Sequence, residues 1–238
     1  MSAAAKITLT TTDRDQLFAW RDAFEDRPEV SCALTPIAES GCDAWAVATK
    51  RGDLDPVVAE ALGPELVPRL REQIRSAFGG SLPADFALCL ETGGETPSHV
   101  IAVSNTPRNP EGVDDHMRVT LATGAALQAV VSENQKNPGA ITSLALPALG
   151  PAAIPAAQRA ELMWTAYDLF CKAEFPDFPT MRQAISGLLV GLRPQWIPGS
   201  YKRRFATLDR SRSAARETMR DGTAWRAQLE RQRVKQDK

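Results

Sequence analysis

With 238 residues, 43% of them apolar, the chain can bury one sizeable core, or one core with an appendage. Aromatics make up only 6% and alanine is abundant, which disfavours an all-β sandwich and favours helices packed closely on a sheet. The net charge of −1 is unevenly spread: residues 200–238 carry twelve Lys/Arg against five Asp/Glu, a net +7, which leaves a mildly acidic −8 on the rest.

Lys6–Thr10 reads as a strand, and Asp13–Phe24 as a helix capped by Asp13, with Leu17, Phe18, Trp20 and Phe24 as its apolar content. Val30–Leu34 and Asp43–Ala48 follow as strands, separated by a polar Ala-Glu-Ser-Gly turn. Leu66, Leu70, Ile74 and Ala77 recur along one face of a helix, with Pro68 in its first turn and Gly79-Gly80 at its end. Phe86–Leu90 and His99–Val103 read as paired strands around the loop Thr92–Pro97. After a loop with two prolines, Asp114 or Asp115 caps a helix whose expected stripe is Met117, Leu121, Gly124, Ala125 and Val131. Asn137-Pro-Gly139 stops it, Ile141–Leu146 is a strand, and Ala156, Ala160, Met163, Tyr167 and Phe170 mark a final helix face.

Strands alternating with helices imply a three-layer α/β body over residues 1–175. From Pro176 the texture changes. Prolines at 176, 179, 194 and 198 bracket a short helical pattern (Met181–Leu192), and beyond Ser200 the chain is Arg-rich with sparse apolar residues. Residues 176–238 therefore read as a helical, basic extension, either docking on a partner or on the body, or partly disordered. Tyr201-Lys-Arg-Arg-Phe205 suits nucleic-acid phosphates, but interspersed acids dilute the field and favour a protein-docking or self-associating arm.

The four cysteines (32, 42, 89 and 171) have no C-x-x-C spacing and no neighbouring His, which points to free thiols in a reducing compartment. The two histidines, His99 and His116, lie on different elements, so no metal site is expected. With no signal-like N-terminus and no apolar run of about 18 residues, the expectation is a soluble cytoplasmic protein.

The stretch from Leu144 to Pro155 is a strand, a Gly-Pro loop and a helix start, an order that presents backbone N–H groups to phosphate and equally serves as a plain connection. Pro151 removes one donor beside the single Gly150. Lys50 and Arg51 suit an anion at a strand end or are solvated loop charges. Asp55 is a helix N-cap with Pro56 at the first helical position, or a general base if it lies in a cleft. Asn105, Thr106 and Arg108 line a cleft or simply make a turn.

Four blocks in order resemble macro domains, most closely a phage and bacterial branch. They are Asp43-Ala-Trp-Ala-Val47, Phe78 to Ala87, His99 to Pro110, and Leu146-Pro-Ala-Leu-Gly150 with the helix through Phe170. The resemblance spans roughly residues 28–172 and implies a macro-domain-like mixed sheet flanked by helices. It implies binding of ADP-ribose or a related nucleotide at the carboxyl ends of the strands, and hydrolysis of ADP-ribosyl bonds in some members, with no cofactor. On it, the ligand-binding set is Lys50, Arg51, Gly52, Asp53, Asn105, Thr106, Arg108, Leu149, Gly150, Ala152, Ala153 and Ile154, with Asp55 as the catalytic candidate. The departures are specific. Lys50 stands where the family has a ribose-orienting Asn, the glycine-rich stretch is reduced to Arg51-Gly-Asp-Leu-Asp55, and the phosphate loop has one glycine and is shorter. The expectation is binding with weak or absent hydrolysis. The competing expectation is an interaction protein that has lost the nucleotide and uses residues 200–238 for a partner.

Overall fold

The computed structural model describes residues 5–83, 86–104 and 115–172, with side chains through residue 169. The expected extension over 176–238, the docking or self-association of 200–238, and Asn105, Thr106 and Arg108 lie outside the described residues. Among the described residues there are six strands and five α-helices. They are β1 Lys6–Thr11, α1 Arg14–Ala23, β2 Val30–Leu34, β3 Ala44–Thr49, α2 Pro56–Leu62, α3 Leu66–Phe78, β4 Ala87–Glu91, β5 His99–Ser104, α4 Asp115–Lys136, β6 Ser143–Pro147 and α5 Ala156–Lys172. The strands form one sheet in the order β2-β1-β6-β3-β5-β4. Only the β4–β5 pair is antiparallel, as the short loop between them dictates; every other pair is parallel.

Alternation along the strands sorts side chains onto two faces. Ala44 and Ala46 of β3, Ile101 and Val103 of β5, and Leu144 and Leu146 of β6 join the core under α1, α4 and α5. Trp45, Val47, Val100, Ala102 and Ala145 face the other way and pack with Leu66, Leu70 and Ile74 of α3. This is a three-layer α/β architecture with a mixed sheet, as the alternation of elements implies. Strands buried on both faces read as near-continuous apolar runs, and His99–Val103 and Ala44–Val47 do so.

Local signals held where they were chemically specific. Asp13 caps α1, accepting from the Asp15 N–H at 2.9 Å, and Pro68 sits in the first turn of α3, where its missing N–H costs nothing. Gly79 ends α3 in the left-handed conformation. Three apolar positions need correction. Phe18 is 63% exposed and Val131 is 41% exposed, while Trp20 and Val130 turn inward. Ala77 is exposed, and its place in the second cluster is taken by Phe78, which packs on it from the helix end. The last strand starts at Ser143 instead of Ile141, because Asn134 of α4 satisfies both the N–H and the carbonyl of Ile141. Cys32, Cys42 and Cys89 are free; burial raises the Cys32 thiol pKa and carries that of Cys89 up to about 12. No helix among the described residues is long and apolar enough to cross a membrane.

Candidate functional site

The chain leaves β3 and β6 in opposite directions. From Thr49 it runs to α2 and α3 on one face; from Pro147 it runs to α5 on the other. Neighbouring strands whose connections diverge in this way open a space at their carboxyl ends. The pairing itself opens there too. β3 pairs with β6 only at Ala44↔Leu144 and Trp45↔Ala145, whereas its ladder with β5 runs to Thr49↔Ser104. The carboxyl half of β3, Ala46–Thr49, thus has a free edge towards β6 among the described residues.

One wall is the turn after β3. Lys50 N–H donates to the Asp53 carbonyl at 3.1 Å and Asp53 N–H to the Lys50 carbonyl at 3.0 Å, closing a two-residue loop. Its central residues, Arg51 (φ 57°) and Gly52 (φ 89°), have the φ signs of a type I′ turn. Thr49 Oγ1 also donates to the Asp53 carbonyl, at 2.9 Å. Gly52 is buried, and a Cβ there would lie 2.9 Å from Arg71 Cα, so the glycine lets the turn rest on α3. Asp53 is exposed and held by Arg71, whose Nε and second guanidinium nitrogen approach one carboxylate oxygen at 2.8 and 2.6 Å. Lys50 and Arg51 are exposed and take part in no ion pair among the described residues. Asp55 is exposed too, and its carboxylate accepts from the Val57 N–H at 3.0 Å, capping α2 with Pro56 at N1.

The other wall is the loop after β6. Leu149 and Ile154 are buried, while Ala152 and Ala153 are exposed. Gly150 has φ 93°, and a Cβ there would meet Val119 Cγ2 of α4 at 2.5 Å. That glycine is thus required by close packing on α4 whatever the loop binds. Ile154 N–H donates to the Pro151 carbonyl at 3.2 Å, so it is already spent. Arg159 of α5 donates to the Pro151 and Ile154 carbonyls, both at 3.0 Å, and to Gln16 Oε1 of α1 at 3.3 Å. Burial pulls its pKa below the ordinary arginine value, with the Asp13 charge opposing. On β1, next to Pro147 in register, Thr10 Oγ1 is buried with no hydrogen-bond partner among the described residues.

The sequence-derived residues Lys50–Asp53, Asp55 and Leu149–Ile154 therefore sit at one edge of the sheet, on loops after adjacent strands. Sequence reasoning missed Gln16, Arg159 and Thr10. For Arg159 a signal existed: a cation in the first turn of a helix opposes the helix dipole and calls for a reason. Among the described residues, no group of three or more His, Cys, Asp or Glu is arranged to hold a metal.

No family model and no curated protein matches the chain. Among solved structures, it is similar to an Oceanobacillus iheyensis macrodomain with MES bound, at 14% identity and TM-score 0.47, over 66% of this chain and 89% of that one. It is also similar to an aspartate-to-alanine mutant of an Oceanobacillus iheyensis macrodomain, at 15% identity and TM-score 0.46, over 66% and 90% of the two chains.

Proposed function

We propose that this chain is a macro-domain-like module that binds ADP-ribose or a related nucleotide between the β3 turn and the β6 loop, with weak or no ADP-ribosyl hydrolysis. The observation that carries the reading is the parting of β3 from β6 beyond Trp45 and Ala145, at the carboxyl edge where their connections diverge. Lys50 and Arg51, free of carboxylate partners among the described residues, stand on one side for a diphosphate. The Gly150–Ile154 loop stands on the other. A general base works best poised near the operating pH, which burial achieves. Asp55 is exposed and committed to the Val57 N–H, which favours binding over turnover.

Titration calorimetry with ADP-ribose tests the reading. The expected result is micromolar binding, roughly 8 kcal/mol of free energy. Heat indistinguishable from dilution would leave the interaction protein, with the spent Ile154 N–H and the packing role of Gly150 in its favour. In that case deletion of residues 200–238 should change the oligomer mass or abolish partner capture. If release of ADP-ribose from a modified protein is detectable, Asp55→Ala should abolish it; unchanged release removes Asp55 from the chemistry.

A further inference from the structure

Arg159 is an arginine in an expensive place. It lies in the first turn of α5, where the helix dipole repels a cation, and it is half-buried with its Nε unpartnered among the described residues. No carboxylate lies within ion-pair distance among the described residues; Asp13 acts on it only from farther off. Its partners are two loop carbonyls and Gln16, itself only 1% exposed. Gln16 in turn donates to the Ala156 carbonyl at 3.4 Å, so the Gln16 amide of α1 bridges the guanidinium to the start of α5.

The consequence for the loop follows from peptide geometry. In a trans peptide the C=O and the next N–H point in opposite directions. Because the Pro151 carbonyl is aimed at Arg159, the Ala152 N–H is aimed away from it, on the exposed side of the loop. Phosphate loops usually achieve such outward N–H groups with several glycines. Here Gly150 is occupied with packing on Val119, and Pro151 has no N–H.

We propose that Arg159, clamped by Gln16, is the positioning residue of the β6 loop: it draws the loop carbonyls inward, leaves the Ala152 N–H outward, and lends the loop a positive charge for a diphosphate-bearing ligand. This rests on the nucleotide-binding reading and names the part of the site that replaces the missing glycines. Carboxylate pairing would neutralise that charge; carbonyl and amide partners leave it in place.

The test uses the full chain and three variants, Arg159→Met, Arg159→Lys and Gln16→Ala, each checked for folding by circular dichroism and thermal melting. Two readouts are taken: amide hydrogen exchange at Ile154, whose N–H is bonded to the Pro151 carbonyl, without ligand, and titration with ADP-ribose and with inorganic pyrophosphate at two salt concentrations. Arg159→Met should speed exchange in the loop, weaken both ligands about tenfold or more, and flatten the salt dependence. Arg159→Lys should restore the salt dependence and part of the affinity, which a purely structural role would not do. Gln16→Ala should speed loop exchange while keeping the salt dependence. Wild-type protein that binds pyrophosphate but not ADP-ribose sinks the nucleotide reading, and Arg159 then keeps its role only if Arg159→Met weakens pyrophosphate about tenfold. Wild-type protein that binds neither overturns both. If Arg159→Met stays folded and binds ADP-ribose within twofold of wild type, the role assigned to Arg159 is overturned while the nucleotide reading stands.

Discussion

The two ends of the sheet are built on opposite principles. At the amino end, the polar groups gathered around Asp43 are used up on one another, although Trp45 Nε1 lacks a partner among the described residues. Asp43 is the hub: its carboxylate accepts from the Thr142 and Ser143 N–H groups at 2.9 and 3.1 Å and from the Thr142 hydroxyl. Its carbonyl accepts from the Ser98 and His99 N–H groups at 2.8 and 3.0 Å, and its own N–H donates to Ser143 Oγ at 2.9 Å. At the carboxyl end the same strands part, the Thr10 hydroxyl and Arg159 Nε are left without partners among the described residues, and Arg51 occupies a left-handed conformation. Satisfied networks stabilise, whereas buried unsatisfied groups and strained backbone cost energy and mark places kept for another reason. The contrast separates a clipped end of the sheet from an open one, and the proposed site lies at the open end.

The sharpest break of that contrast is Gly150→Ala, because it asks whether the carboxyl edge also has structural obligations. The new Cβ would lie 2.5 Å from Val119 Cγ2 at a φ of 93°. Overpacking of about 1–3 kcal/mol and a left-handed penalty of about 1–2 kcal/mol lead to an expected loss of about 2–5 kcal/mol in chemical denaturation. Val119→Ala removes the clashing methyl, so the same change should cost at least about 1 kcal/mol less in that background. Equal cost in both backgrounds would show that the clash is relieved by a loop shift and that Gly150 is free for ligand contact.

Asp43→Asn breaks the other end. Burial alone would raise the Asp43 pKa, but the hydrogen bonds from Thr142 and Ser143 outweigh it and hold the carboxyl below its ordinary range. Its contribution to stability is therefore complete above the unfolded carboxylate value of about 3.9 and is lost as pH falls through the lower folded value. The variant should lose about 1–2 kcal/mol at neutral pH, since it keeps the shape but not the charge-assisted bonds. The loss should shrink in acid, and ADP-ribose affinity should be unchanged. A loss that stays constant down to strongly acid pH would mean that the carboxylate charge adds nothing to the clip.

The same contrast explains what was readable in the sequence. Asp13, Pro68, Gly79 and the face of α3 carry local signals, because caps and helix periods are written within a few residues. The carboxyl-edge candidates were readable as loops after strands, since Lys50–Asp55 and Leu149–Ile154 follow apolar runs directly. The parting of β3 from β6 was not, because β3 and β6 are about a hundred residues apart and parallel pairing leaves no local mark. Nor was the strand order, in which β6 inserts between β1 and β3. The clamp of Gln16 on Arg159 joins residues 143 positions apart, so only the odd placement of a cation at a helix start hinted at it.

The smallest effect is the most discriminating one. Arg51 holds φ 57° in a tight turn where glycine is the favoured residue, and its side chain is exposed and unpaired among the described residues. Arg51→Gly relieves left-handed strain of about 1–2 kcal/mol and adds roughly 0.5–1 kcal/mol of unfolded-state entropy, so the protein should become more stable by up to about 1.5 kcal/mol. If the guanidinium meets a diphosphate, the same variant should bind ADP-ribose several-fold more weakly, with the loss greatest at low salt. Opposite signs in stability and affinity are what a strained binding residue produces. A variant that gains stability and keeps its affinity would make Arg51 a turn residue only, and would pass the cationic role on that wall to Lys50.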